Sequence, residues 1–238
     1  MNFSDLRYLS FEVADGCGMA GSHPFCPAND PLRYPPHERR EKCPDRTIVD
    51  FAARVHERGF AGMVGFHYYC DPLSDVDRML SLMNRMLAAI PGVRFILWSN
   101  GALLQPFHRN WLEAFDKAVF TLHDPSVEQR LRDITGGLPN IEIAKAYYDT
   151  RMDIYGPGPV SKGACIRPSK IELPVNYGGN VRLCCAEYRG LVSLGNIEEE
   201  DHGKILDGFA EAADMVSESR IPLCWRCRGI SPSPAASV

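Results

Sequence analysis

Three features of the sequence predict an α/β fold: a partial (β/α) barrel of about five parallel strands, followed by a small metal-stabilised β-hairpin and helix domain. Apolar runs of strand length recur with amphipathic stretches between them, the alternation stops near residue 155, and the region beyond is rich in cysteine but poor in apolar surface. The expected divisions are 1–155 for the barrel, 156–230 for the second domain and 231–238 for a disordered tail.

The strand runs are LRYLSFEV at 6–13, FAGMVGFHY at 60–68, VRFILWS at 93–99, KAVFTLH at 117–123 and IEIAKAY at 141–147. Between the first two, Ile48, Phe51, Ala52 and Val55 fall at spacings of three and four, which marks a helix over 47–58 with one apolar face. Residues 75–89 repeat the pattern with Val76, Met79, Leu82, Met83 and Met86, and Ser74 is the expected N-cap. Such alternation gathers an active site at the carboxyl ends of the strands. Beyond residue 155, GPGPVSKGAC breaks the pattern. IELPVNYGGNVRLCC then reads as two short strands around a turn at Gly178 and Gly179, with one helix near 204–217. A segment with so little apolar surface draws its stability naturally from a bound metal.

Composition limits the function. Hydrophobic residues are 45% of the 238 and charged residues 24%, the proportions of a folded chain. With 26 basic against 30 acidic residues and a formal charge of -4, there is no basic field to hold a nucleic-acid backbone. No run approaches the roughly 20 apolar residues of a membrane helix, and MNFSDLRYLSFEVADG lacks a basic start followed by an apolar stretch. A cytoplasmic protein without nucleic-acid or membrane partners is expected. In a reducing compartment its nine cysteines, an odd number, point to metal ligation rather than to a disulfide framework.

Those cysteines form two constellations. Cys165, the adjacent Cys184 and Cys185, and Cys224 with Cys227 in C-W-R-C supply five candidates for one four-ligand site; the set taken here is Cys165, Cys184, Cys224 and Cys227. A CxxC puts two thiolates on one tight turn, and four thiolates suit zinc as well as an iron-sulfur cubane. Near the N-terminus, Cys17, His23 and Cys26 occupy one strand-to-helix connection, with Cys43 as the alternative third donor. Three ligands leave an open coordination position.

The motifs resemble those of a known family. The loop ending H-P-F-C-P resembles the end of the cluster loop of the radical SAM superfamily, and G-F-H-Y-Y-C-D-P-L at 65–73 is similar to its second-strand motif, with Asp71 at the acidic position. W-S-N-G-A-L-L at 98–104 resembles the third-strand Thr-Asn-Gly motif, and C-C-A-E-Y, L-G-N-I and L-C-W-R-C resemble a C-terminal SPASM-type auxiliary-cluster domain. The resemblance spans nearly the whole chain and implies one or two 4Fe-4S clusters and S-adenosylmethionine (SAM). It implies reductive cleavage of SAM to a 5'-deoxyadenosyl radical that abstracts hydrogen from a peptide, sugar or nucleotide. By the same resemblance, Asp71 and the Tyr69–Cys70 backbone face the SAM amino group, Phe25 approaches the adenine, and Asn100 and Thr121 lie near the ribose and carboxylate. Cys70 stands where it could donate a hydrogen atom, and His67, Tyr68 and Tyr69 where they could touch substrate.

Two departures qualify this. The middle ligand is His23 and the first gap is five residues rather than three. An imidazole ligand raises a cluster's potential, which opposes electron donation to a sulfonium. Five strands are countable where the family has six, so a protein partner or a second copy of the chain is expected at the barrel mouth. The alternatives are therefore a degenerate iron-sulfur binding or electron-transfer subunit that does not cleave SAM, and a zinc-stabilised structural module.

Overall fold

The structure, a computed structural model, describes residues 1–19, 26–35, 38, 40–145, 155, 172–218 and 220–226. Its elements follow the expected alternation: β1 (Tyr8–Phe11), α1 (Asp45–Glu57), β2 (Met63–Gly65), α2 (Val76–Ala89), β3 (Arg94–Ser99), α3 (Arg109–Leu112), β4 (Lys117–Leu122), α4 (Glu128–Thr135), β5 (Ile141–Lys145), β6 (Glu172–Val175) and α5 (His202–Ser217). The sheet is parallel throughout, in the order β5-β4-β3-β2-β1-β6. It is an open sheet, with β5 and β6 at its edges.

Among the described residues the sheet has six strands, one more than the five runs countable in the sequence. The sixth strand comes from ELPV, which the sequence presents as half of a C-terminal hairpin. It does turn back, through an antiparallel bridge from Val175 to Val181, but it also pairs in parallel with β1, Tyr8 opposite Glu172 and Phe11 opposite Val175. The bridge covers the Val175 end of the strand's outer edge while β1 takes the inner one, and no sequence pattern reveals that distant partner.

Period-two alternation divides each strand between two faces. Leu9, Phe11, Val64, Phe95, Leu97, Ala118 and Phe120 pack against Ile48, Phe51, Ala52 and Val55 of α1 and Met79, Leu82, Met83 and Met86 of α2 in one core. Each fully buried side chain of this size stabilises by about 1.5–3 kcal/mol before the entropy of ordering it is charged. Ile205, Leu206 and Phe209 of α5 join the same core, and His202 sets its ring edge-on to Phe51 at 5.1 Å. The opposite face of the sheet carries Tyr8, Ser10, Trp98 and Thr121, and it leads to the site.

The start of α2 departs from expectation. Asp75, not Ser74, caps it by accepting from the Arg78 N–H, because a 3-10 turn over Pro72–Asp75 comes first and is itself capped by Asp71. The Ser74 hydroxyl donates instead to the Gly16 carbonyl. Among the described residues no helix is long and apolar enough to cross a membrane.

Candidate active site

The carboxyl ends of β1 to β4 surround a cavity of about 250 Å³. Cys17, Met19 and Cys26 line it from the loop after β1; His67, Tyr68, Tyr69, Cys70 and Asp71 from the loop after β2; Trp98, Ser99 and Asn100 from β3; and Thr121 and His123 from β4. The fold thus brings the cysteines of the N-terminal constellation to the same hollow as the Y-Y-C-D and S-N-G motifs.

Asp71 ties these loops together. Its buried carboxylate accepts from the Leu73 N–H at 2.9 Å, from the Ser99 hydroxyl at 2.9 and 3.0 Å, and from the Asn100 N–H at 2.8 Å. Burial pushes its pKa up, and the Asn100, Leu73 and Ser99 hydrogen bonds work against that rise. The Asp71 N–H donates in turn to the Gly16 carbonyl, beside Cys17. Asp71 caps the 3-10 turn that Pro72 opens, and the same carboxylate also fastens the end of β3. At that end Gly101 has a φ of +72°, and an added Cβ would stand 2.6 Å from Leu131 Cδ2, so the turn requires glycine.

A second hub, Glu12, was not singled out in the sequence. One buried oxygen accepts from the Tyr69 and Cys70 N–H groups, each at 3.1 Å. The other accepts from Arg33 Nη2 at 3.1 Å, the Tyr34 hydroxyl at 3.3 Å and the Tyr177 N–H at 3.1 Å. Arg33 also donates to Cys70 Sγ at 3.3 Å. Cys70 lines the cavity as a thiol: burial, and next the charge of Glu12, push its pKa far up. The signal for Glu12 was its position, on the polar side of the alternation in LRYLSFEV.

His67 is held by its surroundings. Its ring meets Trp98 at 4.4 Å, its Nε2 lies 3.9 Å from Glu172 Oε1, and the Ser10 hydroxyl fixes that carboxylate at 2.9 Å. A Cβ at position 65 would come within 2.9 Å of His67 Nδ1, so Gly65 makes the room.

Two cysteines of each expected donor set lie among the described residues, Cys17 and Cys26 in one and Cys184 and Cys224 in the other. Cys17 Sγ receives the Met19 N–H at 3.4 Å and Asn100 Nδ2 at 3.3 Å, contacts that favour a thiolate. Burial nevertheless raises the free thiol's pKa, and the charges of Asp71 and Cys26 add to the rise, as expected of thiols crowded together without a cation. In the C-terminal constellation, burial raises the Cys184 pKa, followed by the nearby Cys185; Cys224 adds to it, while backbone hydrogen bonds from Ala186 and Glu187 oppose it. Cys184 and Cys185 sit in a bend and turn rather than a strand, so adjacency does not send them to opposite faces.

His23, Phe25, Cys165 and Cys227 lie outside the described residues, and among those described no group of three His, Cys, Asp or Glu side chains stands ready for a metal. Cys43 packs in the main core, where a Cβ at Gly179 would be 3.1 Å from its sulfur, and it does not line the cavity.

The two cysteine regions are joined by tyrosines. The Tyr68 hydroxyl donates to the Cys184 carbonyl at 3.1 Å and the Tyr69 hydroxyl to the Cys185 carbonyl at 2.7 Å. The two rings lie 3.8 Å apart, and Tyr69 meets Tyr188 edge-on at 5.5 Å.

Comparison with known proteins agrees with this arrangement. The SPASM iron-sulfur cluster-binding domain family matches residues 165–228. The crystal structure of BtrN in complex with AdoMet and 2-DOIA superposes with a TM-score of 0.73 over 95% of this chain and 94% of that chain, at 21% identity. The fold is that of BtrN, and the match to the SPASM family lies at the C-terminal end of the chain. BtrN in an open conformation superposes on this chain with a TM-score of 0.65 at 20% identity, covering 94% of this chain and 92% of that chain. The S-adenosyl-L-methionine-dependent 2-deoxy-scyllo-inosamine dehydrogenase of Niallia circulans is 26% identical over 192 residues, 72% of this chain and 75% of that protein.

Proposed function

We propose that this chain is a radical SAM protein that dehydrogenates a small polyhydroxylated substrate, a cyclitol or sugar bearing an amine, at one of its secondary alcohols. The observation that carries the reading is the shared cavity. Cys17 and Cys26 line it, and Tyr69, which also lines it, is hydrogen-bonded to the Cys184–Cys185 turn. The similarity to a 2-deoxy-scyllo-inosamine dehydrogenase supports the choice of substrate class.

Cys17, Cys26 and His23 would hold a 4Fe-4S cluster with one open iron, and Cys165, Cys184, Cys224 and Cys227 a second in the 156–230 domain. When bound, SAM and the two clusters supply the redox chemistry: one-electron cleavage of the sulfonium, transfer of a substrate hydrogen atom to the 5'-deoxyadenosyl group, and acceptance of the remaining electron. The chain's own residues orient and shield. Glu12 takes the Tyr69 and Cys70 N–H groups and so fixes the backbone that would face the SAM amino group. Thr121 and Phe25 serve the nucleoside of SAM, and His67, Trp98 and His123 form the polar and aromatic wall suited to hydroxyl groups and ring C–H faces. Hydrogen-atom donation by Cys70 would return the substrate radical to the alcohol, so in a dehydrogenation this neutral thiol serves as part of the cavity wall. A cytoplasmic location suits reduced cysteines and oxygen-sensitive clusters.

Anaerobic purification, iron analysis and incubation of the reduced protein with SAM and a panel of aminocyclitols and amino sugars test this. About eight irons per chain, 5'-deoxyadenosine, and a ketone product in equal amount are expected. Iron-replete reduced protein that yields no 5'-deoxyadenosine would instead establish the binding or electron-transfer subunit that His23 suggests, and colourless protein holding zinc would establish the structural module.

A further inference from the structure

We infer that Asn100 is a positioning residue for the N-terminal cluster: its side-chain amide donates a hydrogen bond to the sulfur of Cys17 and thereby raises the cluster's reduction potential. The inference rests on Cys17 being an iron ligand, and it gives Asn100 a different role from the SAM contact that family resemblance implies. Asn100 Nδ2 lies 3.3 Å from Cys17 Sγ. The orientation of the amide is fixed by its other end, because Asn100 Oδ1 accepts from the Ala102 N–H at 2.8 Å; a flipped amide would set two donors against each other. The backbone of Asn100 is clamped as well, its N–H held by Asp71 Oδ2 at 2.8 Å.

The loop bearing Cys17 is fastened to the same turn. The Gly16 carbonyl accepts from the Asp71 N–H at 3.2 Å and from the Ser74 hydroxyl at 3.1 Å. Donor and sulfur are thus anchored to one rigid segment, residues 71–74, and the contact does not depend on a flexible side chain finding its partner. Hydrogen bonds to a cluster's sulfurs stabilise the more negative, reduced form and raise the potential. The buried Asp71 carboxylate nearby acts in the opposite sense, so a neutral donor at position 100 offsets part of that negative field.

The test is a redox titration of the full-length, iron-loaded protein, followed by the electron paramagnetic resonance signal that changes when SAM is added, with SAM affinity measured in parallel. Asn100→Ser keeps an oxygen for the Ala102 N–H but removes the NH2 group that reaches the sulfur. Asn100→Asp keeps the turn and places a carboxylate against the sulfur. The midpoint potential of the SAM-free protein is expected to fall in the order Asn, Ser, Asp. An unchanged midpoint in both variants overturns the inference, and so does weakened SAM binding without a shift in potential. Unsubstituted protein that binds iron but shows no SAM-responsive signal would bring down the assignment of Cys17, and this inference with it.

Discussion

Replacing Glu12 with glutamine tests the site's architecture most directly. The Glu12 carboxylate offers only acceptors, and five donors converge on it: the N–H groups of Tyr69, Cys70 and Tyr177, the Arg33 guanidinium and the Tyr34 hydroxyl. Glutamine preserves the volume but turns one oxygen into an NH2 donor. If its oxygen stays on Tyr69 and Cys70, the new NH2 faces Arg33 and the Tyr177 N–H. Among the described residues, Arg33, whose side chain is 7% exposed, would keep only Asp15, which is 57% exposed, as an ionic partner. Breaking a buried ion pair from one side costs about 3–5 kcal/mol, because the other charge stays buried. For a chain of this size that corresponds to a fall in Tm of roughly 6–20 °C. Urea denaturation and thermal melts of Glu12→Gln, Arg33→Met and the double variant measure it. The double variant should recover stability relative to Glu12→Gln, since no uncompensated cation remains. SAM binding should weaken along with stability, because Glu12 shapes the Tyr69–Cys70 backbone. A loss below about 1 kcal/mol in Glu12→Gln, under the range for removing one partner of a buried pair, or strictly additive variants, would refute the reasoning.

Two further outcomes follow from local geometry. Burial lifts the Glu187 pKa from 4.5 to about 7, outweighing Arg182 and the hydrogen bonds from the Leu191 N–H and the Tyr155 hydroxyl. The folded chain therefore keeps a proton that the unfolded chain has lost between those values, so this group subtracts stability as pH rises from 4.5 to 7 and nothing more above. Glu187→Gln should change the unfolding free energy from urea denaturation little near pH 4.5 and raise it near pH 8, by up to roughly 3 kcal/mol; equal effects at both would contradict the assignment. Gly101→Ala, at a φ of +72° with Leu131 Cδ2 2.6 Å away, should cost about 1–2 kcal/mol for the left-handed backbone and another 1–3 for the overlap, read as a lower urea midpoint. A neutral result would mean that this turn is not rigid.

The comparison of sequence with structure divides along a physical line. Periodicity is a local property, and it located β1 to β5, α1, α2 and α5 to within a few residues. The chemistry of the motifs was local too: two cysteines nine positions apart, Y-Y-C-D and S-N-G each announced polar groups at the end of an apolar strand, and Cys17, Cys26, Tyr69, Cys70, Asp71, Asn100 and Thr121 all line one cavity.

What the chain's order could not show was who meets whom. ELPV has the same composition whether it ends a hairpin or joins a sheet. Its parallel pairing with β1 follows from backbone edges more than 160 residues apart in Tyr8 and Glu172. Glu12 is one acid among many until five donors close on it, and Asn100 is an ordinary turn residue until Asp71 and Ala102 fix which end of its amide faces Cys17. Local pattern sets which segments are strands and helices because it depends on neighbours along the chain. The direction of a hydrogen bond and the neutralisation of a buried charge depend on neighbours in space, and only the packed tertiary structure supplies those.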